Sequence, residues 1–367
     1  MNVAIWNSTK KMILFLCLIC MVIPFLSSCT DDSDTTVGVW YRRADLTGLP
    51  RTQAAAFTID NIGYICTGYK TGSGTEKRLN DIWAYHIDGN YWTECNSMPS
   101  EAGYRNRAAG FAVGEKGYVT TGYNSSSEYL ADTWEYDPSS DSWAQKDDFV
   151  GGARYGALAF SIGNYGYVGQ GYNDNWLSDY YRFNPNAASG SQWEKVNGYG
   201  GQKRVDGTAF VINDKAYICC GTSNGTYPSD FWRFDPSETT AALPMGTFTA
   251  LRDIADTSDD DYDDDYAIVR AAAVAFVIDG KGYLTTGTNG SLKTDYWIYN
   301  PDTDLWTGDS DDDYTPFALL NSGYQGSSRS GAVSFSTGTK GFVLAGSTSS
   351  TNLDDMYELS PYEDRDE

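Results

Sequence analysis

An all-β architecture made of six repeated units is predicted by three features of the 367-residue sequence. An 18-residue pattern recurs six times without a gap: Arg, Phe six positions later, Gly-Tyr at twelve and thirteen, and Gly at seventeen, with Ala216 for Gly and Phe342 for Tyr as the two substitutions in the Gly-Tyr pair. Successive copies are 54, 49, 50, 66 and 59 residues apart, and periods near 50 residues are typical of propellers and repeat arrays. Small residues follow the Arg at positions three and five, as in Ala54 and Ala56, which lets sheets crowd around an axis. A six-bladed β-propeller is therefore predicted.

Each copy contains four predicted strands, illustrated by the second. Its strands are expected at 105–113, 117–122, 132–136 and 142–146, where rings and polar residues alternate and no helical period occurs. The third strand carries large rings in most copies, and these would fill the gap where blades splay apart. These rings are Trp83, Trp134, Trp232 and Trp297.

Ring closure can be predicted from the two ends of the repeat array. The sixth copy ends at Leu359 and has no fourth strand with Trp after it. The segment 38–45 around Trp40 parallels the fourth strand of the second copy and supplies what is missing. We therefore expect four antiparallel strands in every blade, with the last blade closed by the N-terminal strand and no open sheet edge. A closed ring of this kind is expected to be monomeric.

Residues 37–360 resemble the kelch family of β-propellers. The resemblance rests on the Gly-Tyr pair, the later Gly and a seven-residue spacing from Tyr to Trp, as between Tyr136 and Trp143. The chain departs from the family's usual double glycine, because a single Gly ends the second strand. It is most similar to kelch-type lipoproteins of Bacteroidetes, which are often called galactose-oxidase-like. This resemblance implies the fold but leaves the function open.

The galactose oxidase resemblance would imply a copper site with two His and two Tyr ligands. The sequence contains a single His, His86, at the end of a predicted third strand, so it excludes copper oxidase activity. We expect no cofactor. Two acidic segments, 256–265 and 309–313, leave Ca²⁺ binding as the alternative, although they lack EF-hand spacing and a solvated acidic loop is favoured.

The N-terminus resembles a bacterial lipoprotein signal. Lys10 and Lys11 precede an apolar run, 12–25, that is shorter than a membrane-spanning helix and ends in Leu-Ser-Ser-Cys29. We expect cleavage before Cys29 and lipidation of its thiol, and an ordinary signal peptide with an incidental Cys is the alternative. In chain order, we expect a signal peptide at 1–28, an acidic tether at 29–36, a propeller at 37–362 and a tail at 363–367.

The acidic residues after Cys29 resemble the surface-export signal of Bacteroidetes lipoproteins. An outer-membrane lipoprotein at the cell surface is therefore expected, and a periplasm-facing one is the alternative. Signal cleavage would leave 24 Lys and Arg against 49 Asp and Glu, a net charge of −25, which argues against nucleic acid as a partner. The remaining cysteines are too few for a disulfide scaffold, and Cys66 and Cys95 are predicted to be buried free thiols.

A ligand face can be located because successive strands run in opposite directions. The repeat Arg residues and the loops after each second strand should share one face, where aromatic rings stand among short amides and hydroxyls. Such a mixture suits a glycan or a peptide ligand. The predicted ligand-binding residues are Tyr69, Arg107, Tyr123, Tyr172, Trp176 and Tyr227.

Every repeat also places one Arg and one Asp on this face, as in Arg51 and Asp81. We interpret the Arg column as scaffold that pairs with carboxylates or backbone carbonyls, and ligand binding by it is the alternative. Arg107 lies outside the repeat pattern and is the better candidate for specific recognition. The scaffold column is Arg51, Arg105, Arg154, Arg204, Arg270 and Arg329.

Three classes of function remain open. A non-catalytic, surface-exposed module that binds a glycan or a protein is favoured. A periplasmic carbohydrate-modifying enzyme of the sialic-acid mutarotase type is the second class. A structural subunit of an outer-membrane assembly is the third.

Overall fold

The computed structural model describes residues 37–72, 74, 76–256, 266–308 and 326–364. The predicted signal peptide, the tether with Cys29 and nearly all of both acidic segments lie outside these residues. No helix with the length and hydropathy of a membrane span occurs in the described part of the chain.

The described residues form six four-stranded antiparallel sheets arranged as the blades of a propeller, five with their strands in sequential order and the sixth with the N-terminal strand at its outer edge. The predicted fold class is confirmed. Blade 1 contains Ala55–Ile59, Ile62–Cys66, Ile82–His86 and Tyr91–Cys95; blade 2 contains Ala109–Val113, Lys116–Thr120, Thr133–Asp137 and Ser142–Lys146; blade 3 contains Leu158–Ile162, Tyr165–Gly169, Tyr180–Phe183 and Trp193–Val196. Blade 4 contains Thr208–Ile212, Lys215–Cys219, Trp232–Asp235 and Thr247–Ala250; blade 5 contains Val274–Ile278, Lys281–Thr285, Tyr296–Asn300 and Leu305–Gly308; blade 6 contains Val333–Ser336, Gly341–Leu344, Met356–Asp364 and Val37–Arg43. Two short ladders lie outside the blades: Arg105–Asn106 with Tyr123–Asn124, and Ala255–Asp256 with Tyr266–Ala267.

The N-terminal strand closes the last blade as predicted. It pairs antiparallel with Met356–Asp364 and places Trp40 opposite Leu359. The Trp40 side chain is 2% exposed, and its ring meets the edges of Phe276 and Tyr296 at 6.2 Å between centroids. The closing strand therefore also fills the space between blades 5 and 6.

The Phe and Gly-Tyr columns of the repeat form the contact between neighbouring blades. A Cβ atom at Gly117 would lie 2.1 Å from the ring of Phe57, which reaches across from the preceding blade. The same close approach joins Gly166 to Phe111. Within a blade the Phe stacks on the Tyr of the Gly-Tyr pair, as Phe57 does on Tyr64 at 5.2 Å. At Gly117 and Gly166 the neighbouring ring occupies the place of a side chain, whereas Ala216 takes this position in blade 4.

The first strand of each blade begins later than the sequence analysis placed it. The residue two positions after each repeat Arg has φ between 52° and 63°, which is left-handed and interrupts an extended strand. Blade 2 shows the consequence: Arg105 and Asn106 form their own short ladder, and the inner strand begins at Ala109. The pattern did not predict this break, because four of the six residues are not Gly. The six residues are Gln53, Arg107, Gly156, Asp206, Ala272 and Gly331.

These six residues form a closed ring of backbone hydrogen bonds around the propeller axis, here called the axial ring. Each N–H donates to the carbonyl of the corresponding residue in the preceding blade, over 2.8–3.0 Å, and the N–H of Gln53 completes the circle on Gly331. The break in the strands therefore serves to link all six blades. Small residues after each Arg surround the propeller axis, as predicted, and line a central channel next to the axial ring; they include Ala54, Ala108, Ala157 and Ala273.

The cysteines of the described residues form no disulfide. Cys66 and Cys95 lie in the second and fourth strands of blade 1, with the third strand between them, as predicted. Cys66 is buried, whereas Cys95 is half-buried, so the expected burial holds for only one of this pair. His86 ends the third strand of blade 1 and stacks on Tyr91.

Candidate ligand-binding site

The six repeat Arg side chains are at most 1% exposed. Each guanidinium pairs with the Asp at the start of the third strand of its own blade, at 2.6 or 2.7 Å in five blades. The sixth pair joins Arg204 and Asp230. Because both partners come from one blade, the Arg column ties the loop before the first strand to the third strand.

A second bond explains why Arg is needed at this position. Each guanidinium also donates to the carbonyl of the residue sixteen positions later, over 2.8–3.1 Å. That residue has φ of 60–63°, so its carbonyl turns out of the strand ladder and needs another donor. Four of the Asp carboxylates also accept the indole N–H of the third-strand Trp, as Asp132 does from Trp134 at 2.6 Å.

The pKa of Asp295 shows how strongly one such carboxylate is held. Burial raises the pKa of this group, but its hydrogen bonds and charge interaction with Arg270 and its bond from Trp297 outweigh that effect. The net result is a lowered pKa. The charged form of Asp295 is therefore the one that the fold stabilises.

A cavity of about 430 Å³ opens on the same face, at the loops of blades 1 to 3. This volume lies within the range typical of small-molecule sites. Its lining consists of tyrosines, two arginines, two amides and a threonine. The lining residues are Thr52, Gln53, Tyr69, Arg78, Asn106, Arg107, Tyr123, Tyr129 and Tyr155.

Aromatic rings form a continuous wall from this cavity outward. Tyr123, Tyr129 and Tyr155 meet one another at 5.5–5.7 Å between centroids. Tyr155 contacts Tyr172 at 5.5 Å, and Tyr172 contacts Trp176 at 5.2 Å. The wall combines loop residues of blades 2 and 3, and its half-buried rings offer flat apolar surface with hydroxyl groups.

Arg78 lies over two of these rings. Its guanidinium carbon is 4.9 Å from the Tyr123 centroid and 5.9 Å from that of Tyr69. Its Nε donates to Asn106 Oδ1 at 2.8 Å, and the Asn106 side chain is buried. No carboxylate in the described part of the chain forms an ion pair with Arg78, whose guanidinium is therefore oriented but not neutralised.

Arg107 enters the cavity from the axial ring. Its guanidinium carbon lies 5.0 Å from the Tyr155 centroid, and its Nη2 is 3.2 Å from Asp206 Oδ2. Gly156 lies in the blade between Arg107 and Asp206, and a Cβ atom there would lie 2.6 Å from Asp206 Oδ1. Burial raises the pKa of Asp206, and the charge of Arg107 opposes that rise.

The cavity gathers only part of the predicted ligand-binding set. Tyr69, Arg107 and Tyr123 line it, whereas Tyr172 and Trp176 extend the aromatic wall beyond it. Tyr227 stands in a loop of blade 4, and among the described residues no ring contact joins it to the wall.

Sequence reasoning missed five of the lining residues that carry rings, charge or amides. Asn106 and Tyr155 directly follow a repeat Arg, and that position was not recognised as facing the cavity. Arg78 and Tyr129 occupy the loops between second and third strands, where the same rule that selected Trp176 could have found them. Gln53 belongs to the axial ring, which the repeat pattern does not reveal.

The structure offers no metal site in the part of the chain that it describes, since no three His, Cys, Asp or Glu side chains cluster there in a way that could hold an ion. The expected Ca²⁺ alternative falls on the two acidic segments and lies almost wholly outside the described residues.

Comparison with known proteins supports the fold. No protein-family model matches the chain, and no curated protein matches it in sequence. Among solved structures 556 chains match, as expected for a widely used architecture. One of them, the structure of YjhT, is 15% identical with a TM-score of 0.64, and the match covers 85% of this chain and 95% of that one. At this identity the likeness concerns the fold alone.

Proposed function

We propose that this kelch-like β-propeller is a non-catalytic ligand-binding domain that takes a glycan in the cavity of blades 1 to 3. The observation that carries the proposal is the aromatic wall beside Arg78 and Arg107. Flat rings stack on sugar faces, while hydroxyl, amide and guanidinium groups orient the sugar's oxygen atoms.

The chemistry of the lining favours binding over turnover. Acid–base catalysis on a sugar needs a proton donor and acceptor with pKa values near the working pH. The lining residues are tyrosines, arginines, amides and a threonine, and the pKa values of Tyr129 and Tyr155 are raised away from the neutral range. The pKa of Tyr129 is raised to about 12, chiefly by its hydrogen bond to Asp174. Tyr129 and Tyr155 are therefore suited to hold a ligand by hydrogen bonds at neutral pH rather than to transfer protons.

Binding is tested by a glycan-array screen followed by affinity measurements on two aromatic variants. Tyr129→Ala should weaken binding by about 1–3 kcal/mol, the usual effect of removing an aromatic anchor. Tyr227→Ala is the matched control, because it removes a ring from the same face outside the cavity. Equal affinity losses for both variants would contradict the proposed site. Acceleration of anomeric exchange in the bound sugar, followed by NMR, would contradict the absence of catalysis.

We further propose that the domain is held at the cell surface as an outer-membrane lipoprotein of the Bacteroidetes type. The support is the lipobox-like sequence at Cys29 and the acidic residues after it. Cys29→Ala should move the protein out of the membrane fraction or leave it unprocessed. Failure of the wild-type protein to incorporate a lipid label would exclude the anchor, and protection from protease in intact cells would favour the periplasm-facing alternative.

A further inference from the structure

Four side chains in the cavity form a chain of polar contacts with a cation at each end. Arg78 Nε lies 2.8 Å from the Asn106 amide, and the Asn106 amide lies 2.6 Å from that of Gln53. The other end of the Gln53 amide lies 3.2 Å from Arg107 Nε and 3.3 Å from its Nη2. The order is therefore Arg78, Asn106, Gln53, Arg107, with three contacts between them.

This series of four side chains has one hydrogen-bond acceptor too few for its three contacts. A guanidinium can only donate, and each amide brings a single oxygen, so two acceptors serve three contacts. Exchanging the oxygen and nitrogen positions of either amide moves the donor–donor contact to another place in the series but does not remove it. With the Asn106 oxygen on Arg78 and the Gln53 oxygen on Asn106, the Gln53 NH₂ group faces the Arg107 guanidinium, and donor meets donor.

Burial makes this shortage matter. Asn106 is 5% exposed, so its amide has little access to water and must form its hydrogen bonds with the neighbouring side chains of this series. The donor–donor contact then falls at one of the two arginines, where the cavity is open. A donor facing another donor, one of them a cation, is a site that an incoming acceptor would relieve, and a negatively charged acceptor would relieve it most.

The charges around the cavity favour the same ligand. Arg78 forms no ion pair with a carboxylate of the described residues, Arg107 has one carboxylate partner in Asp206, and none of the described residues that line the cavity is acidic. The chain as a whole carries a net charge of −23. Two cations beside an uncharged lining are therefore a local exception on an acidic protein.

We propose that the cavity recognises an acidic saccharide, whose carboxylate or sulfate group accepts hydrogen bonds from a cavity arginine, Arg78 or Arg107, while the sugar ring packs against the tyrosines. This inference rests on the proposed glycan binding and names the class of glycan. A saccharide is favoured over an acidic peptide because the cations stand in a compact cavity bordered by rings that can stack on a sugar face.

A substitution that supplies the missing acceptor tests the inference without any ligand. Gln53→Glu keeps the shape of the side chain and provides a second oxygen, so both arginines can be satisfied at once. Its melting temperature at pH 7 should exceed that of the wild type, and its affinity for acidic saccharides should fall. Gln202→Glu, at an exposed Gln outside the cavity, is the control for the added charge. A lower melting temperature for Gln53→Glu than for this control would overturn the acceptor shortage.

Calorimetric titration with the purified full-length protein in detergent tests the ligand class. The probes are digalacturonate, sulfated digalactose, neutral digalactose and a tetraglutamate peptide. We expect at least one acidic sugar to bind more than tenfold tighter than digalactose, and Arg78→Gln to weaken that binding about tenfold to a hundredfold. Arg78→Lys should restore part of the affinity. Arg182→Gln should change nothing, since Arg182 also covers a Tyr ring but pairs with Glu194 outside the cavity.

The outcomes separate this inference from the proposed function. Equal binding of neutral and acidic sugars that is insensitive to Arg78→Gln would overturn the acidic class and leave glycan binding intact. Binding of the peptide alone, or of none of the four probes, would overturn the acidic-saccharide inference. The glycan array then decides separately whether any other glycan binds.

Discussion

At the scale of single residues, arginine side chains have two different roles on one face of the propeller. The repeat arginines are buried, paired with aspartates and bonded to backbone carbonyls, so their charges hold each blade together. Arg107, two residues after a repeat Arg, and Arg78, in the loop between the second and third strands of blade 1, are partly exposed and rest on tyrosine rings. Burial and carboxylate pairing therefore separate scaffold from candidate site, where residue type alone does not.

The lowered pKa of Asp295 predicts a contribution to acid sensitivity. A carboxyl whose pKa is lower in the folded than in the unfolded state stabilises the fold above its unfolded pKa, near 3.9, and this contribution is lost as the pH falls through the folded value. Asp295→Asn should cost about 2 kcal/mol at neutral pH, since it removes charge-assisted bonds to Arg270. Melting temperatures from pH 7 to pH 2 should show a smaller loss for the variant. Parallel curves would contradict the assignment.

At the scale of elements, the N-terminal strand is the piece that completes the last blade. Its inward residue, Trp40, is almost fully buried, whereas the next residue, Tyr41, is 38% exposed. Val39, on the other side of Trp40, is also buried at 1% exposed, so the strand becomes exposed only from Tyr41 onward. The strand therefore stabilises the ring through one large side chain as well as through its hydrogen-bond ladder.

Removal of that side chain should be costly. Trp40→Ala leaves a cavity against Phe276 and Tyr296 and should lower the free energy of unfolding by about 3–5 kcal/mol. Tyr41→Ala, in the same strand, should change it by about 0.5 kcal/mol. Urea denaturation of both variants provides the measurement. Similar losses for the two would show that the ladder, rather than the Trp40 side chain, closes the blade.

At the scale of the whole molecule, the axial ring joins all six blades through backbone groups. Four of its residues are not Gly and adopt a left-handed conformation that costs about 1–2 kcal/mol each for an ordinary residue. The hydrogen bonds between neighbouring blades offset this cost. The axial ring also positions Gln53, Arg107 and Asp206 at the mouth of the channel. The backbone ring that links the six blades therefore also forms one wall of the cavity.

Gly156 is an axial-ring position where the packing leaves no room for a side chain. Its φ of 61° is shared by non-Gly members, but a Cβ atom there would lie 2.4 Å from Val205 Cγ2. Gly156→Ala should therefore destabilise the protein by about 1–3 kcal/mol through overpacking. Ala272→Gly, at another ring position, should have a much smaller effect. If Ala272→Gly lowers the melting temperature more than Gly156→Ala does, backbone conformation rather than steric contact decides which residues the axial ring tolerates.

The sequence by itself determined the six blades, their four strands and the closing strand, because these follow from a local repeat of turns and alternating side chains. It also located the scaffold arginines, since each pairs with an aspartate of its own repeat, as Arg51 does with Asp81. Only the tertiary structure decided which loops form the cavity. Arg78 and Tyr123 lie in loops of different blades and meet because the ring packs those blades side by side. Contacts between blades depend on ring geometry and loop conformation, and neither repeats with the 18-residue pattern.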